Sequence, residues 1–152
     1  MTLHSFDTEL ILPQPRSRVF PFFSDARNLQ AITPPWVQFE ILTPGPVEMK
    51  VGALIDYRIR IHGIPVRWRT EITAWDPPYR FVDEQRRGPY RRWVHTHTFE
   101  EHPQGTRCLD HVDYAQWGGH LVHRLFVRRD VERIFEYRQA TLRKLFAAAT
   151  AA

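Results

Sequence analysis

The chain has little of what would place it in several large classes. Its 152 residues include one cysteine, Cys108, so no intramolecular disulfide can close and no thiolate metal cluster can assemble. That scarcity predicts a reducing compartment, with Cys108 as a small buried hydrophobe. No stretch approaches the roughly 18 consecutive apolar residues of a membrane-spanning helix. The first residues lack the basic start, apolar run and small-residue cleavage site of a secretory signal, so the expectation is a cytoplasmic protein without integral membrane association. Repeats, linkers and low-complexity tracts are missing apart from an alanine-rich end. The reading is therefore one domain over residues 1–147 with a frayed tail at 148–152. No cofactor is expected.

A neutral charge balance is also missing, since the net charge is +4 and the pI about 9.6. The excess is local. Between Gly119 and Phe146 lie Arg124, Arg128, Arg129, Arg133, Arg138, Arg143 and Lys144 against Asp130, Glu132 and Glu136, and the remainder of the chain is balanced. A basic helix of this kind reads as a solvated face with internal pairs such as Arg128 with Glu132 at i,i+4, so no nucleic-acid partner is expected. Aromatic residues, by contrast, make up 13% of the chain, more than an ordinary core of this size needs, which raises the prospect of a ring-lined cavity.

Hydrophobic periodicity divides the chain. Residues His4 to Leu12 alternate and end at Pro13 and Pro15, predicting a strand at or near a sheet edge. Val19, Phe22 and Phe23 follow Pro15 at helical spacing, and Ser24-Asp25 caps a second short helix through about Ala31, stopped by Pro34-Pro35. Six alternating segments come next: Trp36–Leu42, Ala53–His62, Val66–Trp75, Arg80–Arg86, Tyr90–Glu100 and Thr106–Tyr114, each bounded by Pro, Gly or Asp. In Ile55, Tyr57, Ile59 and Ile61 the alternation with polar neighbours requires one covered face. The cover is the last thirty residues, where Val127, Val131, Ile134, Leu142 and Leu145 follow amphipathic helical spacing. The order β-α-α-β-β-β-β-β-β-α predicts an α+β domain: a curved antiparallel sheet of about seven strands wrapped around a long C-terminal helix.

The segments "LPQPRSRVFPFFSDARNLQAITPPW", "VRWRTEITAWDPPYRFVDEQRRGPYRRWVHTHTFE" and "RRDVERIFEYRQATL", spread over nearly the whole chain, resemble the START-like or SRPBCC superfamily, which includes the major birch-pollen allergen. The nearest resemblance is to the bacterial polyketide cyclase/dehydrase-like branch. It implies a helix-grip fold with a tunnel between the concave sheet and the last helix. It does not imply one activity, because the family spans carriers and aromatase/cyclases, and no residue set here matches a cyclase's catalytic groups.

A period of two places Ile55, Tyr57, Ile59 and Ile61 inward, then Trp68, Thr70 and Ile72, then Phe81, Asp83 and Gln85, then Trp93, His95, His97 and Phe99, then Cys108, Asp110, Val112 and Tyr114. The expected ligand-binding residues are Tyr57, Ile59, Trp68, Asp83, Gln85, Trp93, His95, His97, Phe99 and Asp110. Polar groups on an apolar face need partners, so Asp83, Gln85, His95, His97 and Asp110 either form a register-fixing network or orient a ligand carbonyl or hydroxyl. His95 and His97 at i,i+2 could reach one metal ion with Asp110 or Asp83, but no third histidine accompanies them and no metal is expected. His95 with Asp110 is the candidate acid–base pair. Beyond the sheet, Trp36 and Gln116–Phe126 fall at the cavity's ends. Gly118-Gly119 reads as a turn or a lid hinge with Leu121, Leu125 and Phe126 as apolar lining, and His120 and His123 as solvent-facing.

Three functions fit. The first is a carrier or sensor of a small hydrophobic molecule such as a lipid, quinone or polyketide-like aromatic. The second is a cyclase- or dehydratase-type enzyme. The third is an interaction protein, with a homodimer as its simplest form.

Overall fold

The computed structural model describes residues 2–151, with only the backbone at 148–151, and Ala152, the end of the expected frayed tail, lies outside the described residues. Strand β1 (His4–Leu12) leads into α1 (Arg16–Phe23), a 3-10 turn (Ala26–Asn28), α2 (Leu29–Ile32) and a second 3-10 turn (Pro35–Val37). The meander comprises β2 (Glu40–Ile41), β3 (Leu54–Ile61), β4 (Ile64–Asp76), β5 (Arg80–Arg87), β6 (Arg92–His102) and β7 (Gly105–Ala115). A short α3 (Gly119–Val122) passes through a π-helical turn (His123–Val127) into α4 (Arg128–Ala151). The sheet runs β1-β7-β6-β5-β4-β3-β2, antiparallel throughout, so the first strand lies at an edge against the last.

The expected strand over Trp36–Leu42 is cut to two residues. Pro34 and Pro35 start a 3-10 turn that carries Trp36 and Val37, and Gln38 turns left-handed before Glu40 reaches β3. The second helix is likewise split: Asp25 accepts a hydrogen bond from the Arg27 amide and caps a 3-10 turn, which only then becomes α2. In β4 a bulge between Ile72 and Ala74 reverses the alternation, so that Trp75 lies opposite Phe81 and joins the core.

Helix α4 covers the concave face with a stripe that differs in part from the expected one. Val131, Phe135, Arg138, Leu142 and Phe146 are buried, whereas Leu145 faces out. The spacing of the apolar residues admitted Leu145, but the buried stripe advances by four or three from Val131 and passes through Arg138 instead. Gly118, at φ 97°, carries the turn into α3: a Cβ there would lie 2.9 Å from Val122 Cγ2. The lid expectation fails in its lining, because Leu121, Leu125 and Phe126 are exposed and do not contribute to the cavity. His123 is not a solvent residue either. It bonds to the Tyr114 hydroxyl at 2.7 Å and stacks on His4 at 3.5 Å.

The interior is layered. At one end Leu10, Leu12, Val19, Phe20, Ile72, Phe81, Phe99, Leu142 and Phe146 pack together. At the other, Val37, Ile59 and Trp68 gather Phe39, Tyr57, Tyr90 and Trp93 around them. Successive inward residues of β6 (Trp93, His95, His97, Phe99) run from the aromatic layer to the packed one, and the histidines fall between.

Candidate functional site

A cavity of about 500 Å³ lies between the sheet and α4. Its wall is aromatic: Trp68 stacks on Tyr57 with centroids 5.9 Å apart and meets Trp93 edge-on at 5.5 Å and Tyr90 at 5.7 Å. Ile59, Val131, Ile134 and Phe135 add aliphatic and aromatic surface. The lining also includes exposed Trp36, Arg60, His62, Gly63 and Arg133, which mark the mouth between the 3-10 turn at Pro35–Val37, the β3–β4 hairpin and the first turns of α4. There His62 Nε2 lies 2.9 Å from Asp130, and Arg133 lies over the Trp36 ring at 5.1 Å.

Asp83, His95 and His97 border the cavity from its polar side. In the β5–β6 register Asp83 stands opposite His95, and in the β6–β7 register Asp110 stands opposite His97. Each carboxylate bonds to the other histidine, along the diagonal: His97 Nε2 to Asp83 Oδ2 at 2.6 Å and His95 Nε2 to Asp110 Oδ1 at 2.7 Å. The crossing stacks the two imidazoles 3.7 Å apart, and Phe81 stacks on the far side of His97 at 4.1 Å. Asp110 also receives hydrogen bonds from Thr8 Oγ1 at 3.2 Å and Arg138 Nη2 at 3.4 Å.

Pairing explains why the cluster can be buried. Two carboxylates face one guanidinium and two stacked imidazoles, each carboxylate holding one ring and Asp110 the guanidinium as well. His97 is held neutral. Burial, and then the neighbouring His95, push its pKa down to about 4 despite the pull of Asp83. Its Nε2–H then donates to Asp83, leaving Nδ1 as an acceptor without a hydrogen-bond partner. Burial alone would raise both aspartates. For Asp110 the Arg138 guanidinium and the His95 hydrogen bond outweigh it, and for Asp83 the His97 hydrogen bond does, so both carboxyls are held below their usual range. Cys108, buried nearby, is pushed up to about 12 by burial and then by Asp110, which removes it as a nucleophile.

Ligand atoms of Asp83, His95 and His97 all lie within 4.8 Å of one another, the spacing a metal ion needs. The rings are inclined by only 24°, however, so their nitrogen lone pairs run nearly side by side. A shared ion would require the rings to splay and Asp83 to give up its 2.6 Å hydrogen bond.

Of the residues expected to bind a ligand, the cavity is lined by Tyr57, Ile59, Trp68, Asp83, Trp93, His95 and His97. Gln85, Phe99 and Asp110 lie elsewhere. The Gln85 amide is spent on the Tyr90 backbone, donating from Nε2 to its carbonyl at 2.8 Å and accepting from its N–H at 3.1 Å, so it closes the β5–β6 hairpin. Phe99 belongs to the packed layer, and Asp110 stands behind His95. Sequence reading missed Arg138, which it assigned to the solvated basic face. Arg138 is only 7% exposed, lines the cavity, and has no partner at Nε. Its position between Val131 and Leu142 in the helical stripe was the available signal, obscured by six other basic residues nearby.

Solved structures share this architecture at low identity. A protein from Chromobacterium violaceum superposes with a TM-score of 0.74 at 15% identity, covering 93% of this chain and 96% of its own. Ginseng major latex-like protein 151 from Panax ginseng gives 0.70 at 12%, covering 95% and 97%. Ara h 8.0201 gives 0.65 at 18%, covering 93% and 98%. These likenesses show the helix-grip fold. No curated protein matches the chain. A family model described as "Polyketide cyclase / dehydrase and lipid transport" matches residues 12–143. With most of its length inside that match and its strands wrapped around α4, the chain belongs to the polyketide cyclase/dehydrase and lipid transport family.

Proposed function

We propose that the protein is a cytoplasmic carrier or sensor of a small hydrophobic ligand that has a flat, ring-containing body and a carbonyl or hydroxyl group, of the quinone or polyketide-like aromatic kind. The observation that carries this is the 500 Å³ cavity, walled by Tyr57, Trp68, Tyr90 and Trp93 and bordered on one side by His95, His97 and Asp83. Apolar pockets of this size with a few convergent polar groups suit small-molecule binding. Edge-on and stacked indole and phenol rings favour a planar partner over a flexible chain, because offset stacking rewards flat surfaces. The polar side offers both donors and acceptors, Arg138 Nε and His97 Nδ1 among those without a partner, which orient a ligand oxygen.

The test is native mass spectrometry of the purified protein beside its denatured mass, followed by displacement of the fluorescent probe 1-anilinonaphthalene-8-sulfonate with aromatic ketones and quinones. A retained organic mass, or competitive displacement that Trp68→Ala weakens, is expected. Failure of every apolar compound to enter, with the fold intact, defeats the reading.

A cyclase- or dehydratase-type reaction is a second reading, favoured by the His–Asp pairs bordering free volume. His95, oriented by Asp110, would take a proton from carbon next to a ligand carbonyl and return it to oxygen. Deuterium uptake from heavy water into an enolisable aromatic ketone checks this: exchange should be lost in His95→Gln, and a rate equal to the uncatalysed one excludes it.

A further inference from the structure

One end of the molecule gathers features that the cavity does not use. In an antiparallel sheet the start of β1, the end of β7, the start of β6, the end of β5, the start of β4 and the end of β3 share one border, as the pairings His4 with Tyr114, Arg92 with Ala115 and Ile61 with Ile64 show. The segment Gln116–Val127 leaves β7 at that border, and the cavity mouth at Arg60–Gly63 opens there as well. Large apolar side chains are exposed along it: Trp117 at 64%, Leu121 at 68%, Leu125 at 49%, Phe126 at 56% and Ile64 at 66%. Leu121 and Val122 on α3 and Leu125 and Phe126 on the π-helical turn are all exposed, so they form outward apolar stripes. That orientation is fixed from behind, where His123 bonds to Tyr114 and stacks on His4.

The same border is basic. Arg87, Arg91 and Arg92 at the β5–β6 hairpin are exposed, as are Arg124 and Arg129 beside the apolar stripes, and the Arg91 guanidinium lies over the Trp117 ring at 4.5 Å. Of the nearby acids, Asp130 is engaged by His62 and Glu132 by Arg128. Apolar side chains interleaved with arginines, with a tryptophan among them, match an interfacial helix on an anionic bilayer. A nucleic acid would use the arginines and leave the leucines wet, and a second copy of this chain would oppose arginine to arginine.

We infer that this end of the domain, centred on Trp117, Leu121, Leu125 and Phe126, docks reversibly on anionic lipid bilayers and turns the cavity mouth toward the membrane. The inference rests on the carrier reading for its purpose: an apolar ligand would pass between bilayer and cavity without crossing water.

Cosedimentation of the full chain with vesicles of phosphatidylcholine, alone or mixed equally with phosphatidylglycerol, tests it. Binding to the anionic vesicles is expected, falling with added salt, and Leu121→Glu with Leu125→Glu should lower partitioning about tenfold or more. Both side chains are exposed, so the variant's melting temperature should match the parent's. Arg124→Glu should weaken binding at low salt and less at high salt. Equal partitioning of parent and double variant, or no binding to anionic vesicles, overturns the proposal. So does self-association or nucleic-acid binding that the double variant abolishes without any vesicle effect. Uptake of 1-anilinonaphthalene-8-sulfonate in vesicle-free buffer separates the two ideas: the double variant should keep it, and its absence in the parent defeats the carrier reading while leaving membrane binding to stand or fall on the vesicles.

Discussion

The two ends of the interior are built from the same strands and the same alternation and border one cavity, yet they line it differently, with Phe22, Phe23, Ile32, Ile72 and Phe81 at one end and Tyr57, Trp68, Tyr90 and Trp93 at the other. Around Phe20, Phe81, Phe99, Leu142 and Phe146 the rings of α1, the sheet and α4 meet edge to face, with Phe20 against Phe99 at 5.3 Å and against Phe81 at 6.1 Å. Around Trp68 and Trp93 the sheet supplies equally large rings, but α4 answers with Val131, Ile134 and Phe135, and the 3-10 turn at Pro35–Val37 stands beside them in place of a helix such as α1. The two walls therefore differ in what faces the sheet more than in what the sheet carries. The belt of Asp83, His95, His97, Asp110 and Arg138 lies between the two regions, its members paired with one another except at His97 Nδ1 and Arg138 Nε.

The sharpest way to break this comparison is to remove the belt's buried cation. Arg138→Met should cost about 3–5 kcal/mol in chemical denaturation, because Asp110 is left buried without its guanidinium. Adding Asp110→Asn should recover much of the loss, and a single variant as stable as the parent would show that the belt contributes nothing. In the packed end, Leu142→Ala should cost about 2–5 kcal/mol through the cavity it leaves, whereas probe binding at the other end should persist in the folded fraction.

Acid should act on the belt as well. His97 holds its proton less tightly folded, near 4, than in the unfolded chain, near 6.5, so the unfolded state binds more protons between these values and stability falls as pH drops through that window. The loss is on the order of 3 kcal/mol by pH 4. The lowered pKa values of Asp83 and Asp110 add to it as pH falls below the ordinary carboxylate range. Denaturation midpoints between pH 7 and 4 should decline in the parent and decline less in His97→Gln; a flat parent profile would contradict the assignment of His97 as neutral. The smallest stability effect belongs to the cavity wall. Trp93→Phe should cost less than about 1.5 kcal/mol, because its ring borders free space, while probe affinity drops several-fold in a fluorescence titration.

Much of this was legible in the chain. Alternation in Ile55–Ile61 and Trp93–Phe99 assigned the inward residues correctly, because a strand has no freedom to present two neighbours to the same face unless a bulge intervenes. The bulge that turns Trp75 inward, the 3-10 turn that removes Trp36 from a strand, and the hairpin role of Gln85 were not legible, because each depends on a partner from another segment. Arg138 was hidden for a related reason. A basic residue on an apolar stripe is a solvated residue unless a carboxylate waits inside, and that carboxylate lies 28 residues earlier on β7.

The sequence by itself determined the order of elements, the inward face of each long strand and the residue types available to a pocket, since periodicity and turn chemistry are local. Only the tertiary structure decided that the carboxylates cross over to opposite histidines, that one arginine of seven basic side chains goes inside, and that Leu121, Leu125 and Phe126 face out. Those outcomes depend on packing α4 against a curved sheet, where burial must be matched by partners distant in the chain.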